Sequence, residues 1–325
     1  MLLLATLMAC WVAAGTAFAQ TGAGAADWPH KPVRFIVPFP AGGSTDTVAR
    51  VVGQLLGARL GQSFVIENRV GASGTIGTEA VARAAPDGYT IGLATTTTHA
   101  LAASLSRALP YDPVKDFAPV SMLGSSPFVM VVTPGLPAQN LRDFIALAKS
   151  KPGALTYGSA GAASIAHLAT VLFANMAQLS LTHVPYKASA ESATDIMTGR
   201  IDMQLATVLP TLALLRAGTL RALGIASAQR SALLPDVPTI AEAGLPGYEA
   251  SLWMAIVAPA GTPAGIVTRL NETIAAALAT PEARDALRDQ GLDIETSTPA
   301  ALATRIRDET GKWGEVIRQT GIVAE

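Results

Sequence analysis

Apolar and polar positions along the chain follow two alternating patterns. Short apolar runs such as Val33–Val37 are typical of buried strands, whereas in stretches such as Ser44–Leu60 apolar residues recur every three or four positions, which predicts a helix. Further strands are predicted at Phe64–Glu67, Tyr89–Ala94, Phe128–Val132, Leu155–Tyr157, Ile201–Leu205 and Leu220–Ile225, and further helices at 75–84, 140–149, 162–176, 188–197, 209–216, 263–279 and 299–319. This alternation predicts an α/β fold with parallel sheets covered by helices on both faces.

Two lobes are expected, because the chain is longer than the roughly 250–300 residues at which single cores usually divide. Two apolar strands, near Phe128–Val132 and Ser251–Ala258, are flanked by proline-rich segments and are interpreted as crossover strands between the lobes. This interpretation assigns residues 28–127 plus 255–325 to lobe 1 and residues 128–254 to lobe 2.

Residues 1–19 are predicted to be a cleaved signal peptide. The segment is uncharged and apolar and ends in Ala17-Phe18-Ala19, a small-residue pattern that signal peptidase recognises, so cleavage is expected after Ala19. An uncleaved anchor and a lipoprotein signal ending before Cys10 are the alternatives. The lack of a Lys or Arg before the apolar run is atypical and leaves open a start upstream of Met1. The mature chain is expected in the periplasm.

Composition excludes several classes of function. Half of the residues are apolar, 14% are charged and the net charge is −1, which argues against disorder and against nucleic-acid binding. A single cysteine excludes a disulfide framework, and four scattered histidines lack the spacing of a zinc site. No metal and no cofactor are therefore expected.

The segment Pro38–Asp46, called here the lobe-1 loop, joins the first predicted strand to the first predicted helix. Gly42 and Gly43 allow a ligand to approach the backbone closely, and the free N–H groups at a helix N-terminus can bind an anion. A tight turn with an ordinary Ser44 or Thr45 cap explains the same residues equally well. The loop lacks the Lys of a Walker motif.

A second strand-to-helix segment, Gly158–Ser164, has a similar composition and is called here the lobe-2 loop. Ser164 and His167 are three positions apart and share a helical face, so a Ser–His nucleophile pair is one interpretation, and a packed or cap-bonded histidine is the favoured one. A third segment, Thr95–His99, is interpreted as a loop that offers hydroxyl donors or as a solvated turn.

Several motifs together resemble the tripartite tricarboxylate transporter receptor family, also called the Bug family of periplasmic solute-binding proteins. The matching segments are Trp28-Pro29, Val37–Gly43 with Asp46, Glu67-Asn68-Arg69, Gly71–Gly77, Ala85–Thr90, Leu109–Val120, His183–Lys187, Leu234–Gly244 and Ala258–Pro263. The most specific of them is Leu109–Val120, and the resemblance extends over residues 28–325.

The resemblance implies a two-lobe periplasmic-binding-protein fold of type II, joined by two crossover strands, that closes on a small carboxylate like a flytrap. It implies a monomer that delivers its ligand to tripartite tricarboxylate transporter membrane subunits or to a sensor kinase. Carried over from the family, the ligand-binding residues are Phe39, Ala41, Gly42, Gly43, Asp46, Thr95 and Thr97 in lobe 1, and Ser159, Ala160, Ser164, His167 and Thr207 in lobe 2. Asp46 is expected to orient waters or to bind a ligand amine or hydroxyl.

One position departs from the family pattern. Ala206 stands where the family commonly has Asp, so an amino-acid ligand is less expected, and Thr207 is expected to take over part of the contact. The sequence therefore predicts a non-catalytic carboxylate receptor. The alternative is an exported hydrolase that uses Ser159 or Ser164 with His167.

Overall fold

The structure is a computed structural model, and it describes residues 27–106, 108–161, 164–186 and 189–320. The strands are β1 (Val33–Val37), β2 (Phe64–Asn68), β3 (Thr90–Thr95), β4 (Phe117–Val132), β5 (Thr156–Ser159), β6 (Thr182–Pro185), β7 (Met203–Thr207), β8 (Arg221–Ile225), β9 (Ser251–Pro259) and β10 (Asp293–Ile294). The helices are α1 (Ser44–Leu60), α2 (Thr75–Ala82), α3 (Ala102–Leu105), α4 (Leu141–Ser150), α5 (Ile165–Ala177), α6 (Ser189–Met197), α7 (Val208–Arg216), α8 (Ala264–Leu278), α9 (Pro281–Arg288) and α10 (Pro299–Thr320). The predicted signal peptide and its cleavage site lie outside the described residues.

The sheet of lobe 1 has the order β2-β1-β3-β9-β4, with β10 on β4. The first three strands are parallel, and β9 runs antiparallel to both β3 and β4. Strand β1 lies between β2 and β3, and its Phe35, Ile36 and Val37 are fully buried between helices on the two faces, as a parallel strand in an α/β protein requires.

The sheet of lobe 2 is built around the second half of β4. Residues Phe128–Val132 pair antiparallel with β7 on one side and with β8 on the other, and β5 pairs parallel with β7 and β6. The core of this lobe contains Phe144 and Phe173, with ring centroids 6.2 Å apart.

Strand β4 is continuous through both sheets, so the predicted crossover at Phe128–Val132 is only its second half. The first half escaped prediction because Pro119, Gly124 and Pro127 interrupt the apolar run. Gly124 lies at an irregularity in the pairing with β9 and has a φ of 152°, and a Cβ there would clash with the Asp293 carbonyl oxygen. The predicted parallel pairing holds for β1 with β2 and β3 and for β5 with β6 and β7, whereas β4 and β9 run in opposite directions and pair antiparallel with their neighbours.

The predicted bounds of β1 and α1 match the structure, whereas β6, α9 and β10 had no prediction. The prediction of a loop at Thr95–His99 is wrong, because Thr95 ends β3 and a π-helix spans Thr96–Leu101. Each helix in the described residues is too short or too polar to span a lipid bilayer.

Candidate functional site

A cavity of about 400 Å³, called here the interlobe cavity, lies between strands of the lobe-1 sheet and the start of α7, the helix that follows β7 in lobe 2. Its lining residues are Phe39, Ser44, Thr45, Thr95, Thr97, Ser126, Thr207, Val208, Leu209, Pro210, Leu252, Trp253, Met254, Gln290 and Gly291. The volume is in the lower part of the range of about 300–1,000 Å³ that small-molecule sites occupy.

The Asp46 carboxylate stabilises the conformation of the lobe-1 loop through hydrogen bonds. Its Oδ2 atom accepts hydrogen bonds from the Gly42 N–H and from Arg50 Nε, both at 2.9 Å, and its Oδ1 atom accepts one from Asn68 Nδ2 at 2.9 Å. Asn68 Nδ2 also lies 3.0 Å from the Phe39 carbonyl oxygen, to which it donates. The loop backbone at Phe39 and Gly42 is therefore tied to a buried carboxylate.

The ionised form of Asp46 is the stable one in the folded chain. Burial raises the pKa of this carboxyl, but the hydrogen bonds from Arg50, Gly42 and Asn68 outweigh burial and lower the pKa to about 2. Since both carboxylate oxygens already have protein partners and Asp46 does not line the cavity, its geometry is that of a residue that positions the loop.

The N-terminus of α1 faces the interlobe cavity without a side-chain cap. The N-cap residue is Gly43, which has no side chain to offer, and Ser44 and Thr45 in the first turn line the cavity. Gly42 has a φ of 81°, a left-handed conformation that glycine adopts at little cost. The first N–H groups of the helix consequently have no intrahelical acceptor.

The π-helix after β3 places Thr97 at the cavity, and hydrogen bonds of the neighbouring threonines stabilise this turn. Thr95 and Thr98 form a reciprocal capping box, and Thr96 Oγ1 donates to the Ser251 carbonyl oxygen at 3.2 Å and accepts the Trp253 N–H at 2.9 Å. Thr97 lines the cavity and its hydroxyl has no partner among the described residues. Irregular helical turns of this kind are frequent at functional sites.

Lobe 2 closes the cavity with the first turn of α7. The N-cap residue Thr207 makes no side-chain cap bond, and Thr207, Val208, Leu209 and Pro210 all line the cavity. Leu209 also faces Gly291 of lobe 1, where an added Cβ would lie 3.0 Å from the Leu209 Cβ. The two lobes are therefore in contact at one edge of the cavity.

Hydrogen-bond donors converge on this cavity. Within the described part of the chain, five lining hydroxyls have no protein partner: Ser44, Thr45, Thr97, Ser126 and Thr207. Two helix N-termini, those of α1 and α7, lie beside them without side-chain caps. Free N–H groups and the positive end of a helix dipole attract an anion, each dipole contributing about 0.3–1 kcal/mol and up to about 2 kcal/mol when partly buried.

The lobe-2 loop has a similar composition, but its polar groups bind one another. Ser159 is fully buried. Its Oγ donates to the Gly161 carbonyl oxygen at 3.1 Å and lies 2.7 Å from His183 Nε2. Ser164 Oγ donates to the same carbonyl oxygen at 2.7 Å and accepts the His167 N–H at 3.2 Å, which caps α5. Ala162 and Ala163 lie outside the described residues.

His167 is a packed histidine. Its ring stacks on Tyr157, lies 4.0 Å between centroids from the His183 ring, and its Nδ1 is 3.0 Å from the Tyr157 hydroxyl. Burial, with the neighbouring His183 as a smaller cause, lowers the pKa of His167 to about 4, and burial also lowers the pKa of His183. The contact between Ser164 and His167 goes to the backbone N–H and not to the ring, so the pair lacks the geometry of a nucleophile and its base.

Of the sequence-predicted site residues, Phe39, Thr95, Thr97 and Thr207 line the interlobe cavity. Ala41, Gly42, Gly43 and Asp46 build the loop beside it, and Ser159, Ala160, Ser164 and His167 are absent from its lining. Sequence reasoning did not find Ser126, Leu252, Met254, Gln290 and Gly291, which reach the cavity through strand pairing and through the turn after α9. Within the described residues, no three His, Cys, Asp or Glu side chains cluster as a metal site would require.

Comparison with known proteins defines the class. The family model described as "Tripartite tricarboxylate transporter family receptor" matches residues 48–322, and the chain belongs to this family of periplasmic solute-binding receptors, which are not enzymes. The predicted family membership and the predicted two-lobe binding-protein fold are thereby confirmed. The hydrolase alternative is set aside.

Individual relatives agree with this assignment. The protein BugT of Bordetella pertussis is 40% identical over 295 residues, which are 90% of either chain. A solved structure, R. palustris Rpa4515 with adipate, is 39% identical and has a TM-score of 0.72, covering 92% of this chain and 100% of that one. MatC from Rhodopseudomonas palustris with bound malate is 34% identical with a TM-score of 0.68, covering 89% of this chain and 100% of that one.

Proposed function

We propose that the protein captures a small carboxylate in the interlobe cavity and delivers it to the membrane subunits of a tripartite tricarboxylate transporter. The observation that carries the proposal is the convergence of five unpartnered hydroxyls and two uncapped helix N-termini on one cavity. Adipate and malate, the acids bound by two of the related structures, support a carboxylate as the ligand class.

The carboxylate binds first at lobe 1 in this account. The α1 N-terminus and the hydroxyls of Ser44, Thr45 and Thr97 donate to it, and the Asp46 network keeps the loop in its binding shape before the ligand arrives. A preformed loop avoids the entropic cost of ordering it on binding. Thr207 and the first turn of α7 then approach from lobe 2.

Closure follows from the connection between the lobes. Residues 28–127 plus 255–325 form lobe 1 and residues 128–254 form lobe 2 in this proposal, so the chain crosses between Pro127 and Phe128 in β4 and between Met254 and Ala255 in β9. A ligand that contacts both lobes binds the closed form more tightly, so it shifts the population toward closure. The closed receptor acts as a monomer and presents both lobes to the transporter.

A thermal-shift screen of the mature chain against small carboxylates tests ligand capture. At a free ligand concentration 100 times the dissociation constant, the free energy of unfolding should rise by about 2.7 kcal/mol. Native mass spectrometry of the purified protein provides an independent test, since a co-purifying acid adds its own mass. The absence of any shift with every acid tested, together with no co-purifying acid, would contradict the receptor function.

Delivery is tested separately, by uptake of the identified acid into proteoliposomes that contain the membrane subunits. Uptake should depend on the receptor and be abolished when its acid-binding site is inactivated. Uptake that proceeds equally without the receptor would contradict delivery and leave ligand capture standing.

A further inference from the structure

We propose that the natural ligand is a monoanion, with one carboxylate and an apolar body that carries no second charge. The inference rests on the proposed function and specifies the chemistry of the same cavity. It follows from how charge and apolar surface are distributed over the lining side chains.

The cavity offers compensation for about one negative charge. No described lining residue has an ionisable side chain. Behind the lobe-1 loop, Asp46 and Arg50 are paired with each other, with Arg50 Nε 2.9 Å from Asp46 Oδ2. The free hydroxyls and the Gln290 amide are neutral, so the positive charge comes from the two helix N-termini, each equivalent to roughly half an elementary charge, which together balance about one carboxylate.

An apolar strip crosses the floor of the cavity. Leu252 and Met254 are two residues apart on β9 and share a face of the sheet. Thr95 pairs with Met254 on one side, and Ser126 pairs with Leu252 on the other. With strands about 4.8 Å apart and a rise of about 3.4 Å per residue, two strand spacings and an offset of two residues separate the two hydroxyl-bearing positions by about 12 Å of predominantly apolar floor.

The wall of the cavity opposite this apolar strip also carries apolar side chains. Val208 and Leu209 of α7 face the cavity, and the preceding residue in β7 is Ala206. An ionised group placed against these apolar side chains would lose its water, and the N-terminus of α7 beside them compensates only about half an elementary charge, so a second carboxylate is unfavourable there. An alkyl chain or an aromatic ring placed there loses only water from apolar surface, which is favourable.

Matched pairs of acids test the inference by calorimetry on the mature chain. Hexanoate and adipate have the same chain length and differ in the second carboxylate, and benzoate and terephthalate form an aromatic pair of the same kind. The monoacid should bind at least about tenfold more tightly than its diacid in each pair that binds, because only the diacid buries an uncompensated charge. Equal or tighter binding of the diacid in either pair would overturn the inference and leave the receptor function intact. No binding of any of the four acids would overturn the inference, whereas the receptor function fails only if the wider screen of acids is also negative.

A charge introduced into the apolar wall provides the second test. Leu209 is 37% exposed, so Leu209→Lys should fold, and its ammonium group would supply the missing partner for a second carboxylate. The adipate-to-hexanoate affinity ratio should rise at least about tenfold. Met197→Lys is the matched control, since Met197 is 38% exposed and does not line the cavity. An unchanged ratio in Leu209→Lys, or an equal rise in the control, would overturn the inference.

Discussion

The lobe-1 loop and the lobe-2 loop both place glycine, alanine and serine at a strand-to-helix turn, but their polar groups have different partners. In lobe 1 the N-cap is Gly43, the support comes from Asp46 and Asn68 behind the loop, and the first-turn hydroxyls remain free. In lobe 2 the hydroxyls of Ser159 and Ser164 both donate to the Gly161 carbonyl oxygen. Glycine and serine at a strand-to-helix turn therefore mark a binding site only when the loop is held by other residues.

The largest expected effect is that of removing the support of the lobe-1 loop. Asp46→Asn replaces a carboxylate that accepts three hydrogen bonds by an amide that has one acceptor oxygen, and it should weaken acid binding roughly 100-fold and lower the free energy of unfolding by about 2 kcal/mol. Calorimetry and urea denaturation measure the two effects. Asp195→Asn is the matched control in lobe 2, where Asp195 bonds Tyr186 and Arg200 away from the cavity, and its affinity should stay at the wild-type value.

The two loops should also respond to acid in different pH windows. The pKa of His167 is lowered from 6.5 to about 4, so the unfolded chain binds a proton that the folded chain does not, and stability is lost as the pH falls from 6.5 to about 4. This difference corresponds to roughly 3 kcal/mol. The pKa of Asp46 is lowered from 3.8 to about 2, so its contribution is lost only below about pH 4.

Urea denaturation of the wild type and of His167→Phe, carried out from pH 7 to pH 4, measures the contribution of lobe 2. The variant should lose less stability over this interval, although burial also lowers the pKa of His99 and that contribution persists. Identical pH profiles for the two proteins would show that His167 is not the titrating group.

Removing one hydroxyl from each loop should separate binding from stability. Thr97→Val deletes a free hydroxyl that faces the cavity and should weaken acid binding about tenfold with little change in stability. Ser164→Ala deletes the cap of α5 and should cost about 1 kcal/mol of stability with unchanged affinity. The comparison between the loops fails if Ser164→Ala weakens binding as much as Thr97→Val does.

The smallest effect is expected where the lobes meet. Gly291→Ala and Gly261→Ala each introduce a Cβ at a φ near +80°, which costs about 1 kcal/mol of stability in both. Only the Cβ at Gly291 approaches lobe 2, at 3.0 Å from the Leu209 Cβ, whereas the nearest atom at Gly261 is 3.8 Å away. Gly291→Ala should therefore weaken acid binding about threefold through impaired closure. Equal affinities for the acid in the two variants would show that the contact between Leu209 and Gly291 does not contribute to closure of the lobes.

Local sequence patterns predicted most of the fold. The apolar run of β1 and the three-to-four spacing of α1 give the same bounds as the structure, and the glycines of the lobe-1 loop lie where they were expected. Strand β4 was predicted only in part, because Pro119 and Pro127 resemble breakers, although pairing with β9 and β7 keeps the strand extended. Tertiary pairing overrides local propensity at such positions.

The candidate site was less predictable, because its decisive features depend on residues far apart in the sequence. Asn68 reaches the Asp46 carboxylate across 22 positions, and His183 reaches Ser159 across 24. The apolar floor depends on the register that brings Leu252 beside Ser126. A pattern of residue types within one loop contains none of this information, so two loops of similar composition could not be distinguished by sequence.

A crystal structure of the mature chain with the acid that raises its melting temperature most is the most direct test of the central claim. The account predicts that the carboxylate lies within hydrogen-bond distance of the Ser44 or Thr45 N–H groups and of the Thr97 hydroxyl, with the apolar body of the acid over Leu252. A carboxylate bound instead by the Ser159 and Ser164 hydroxyls, released from Gly161, would contradict it.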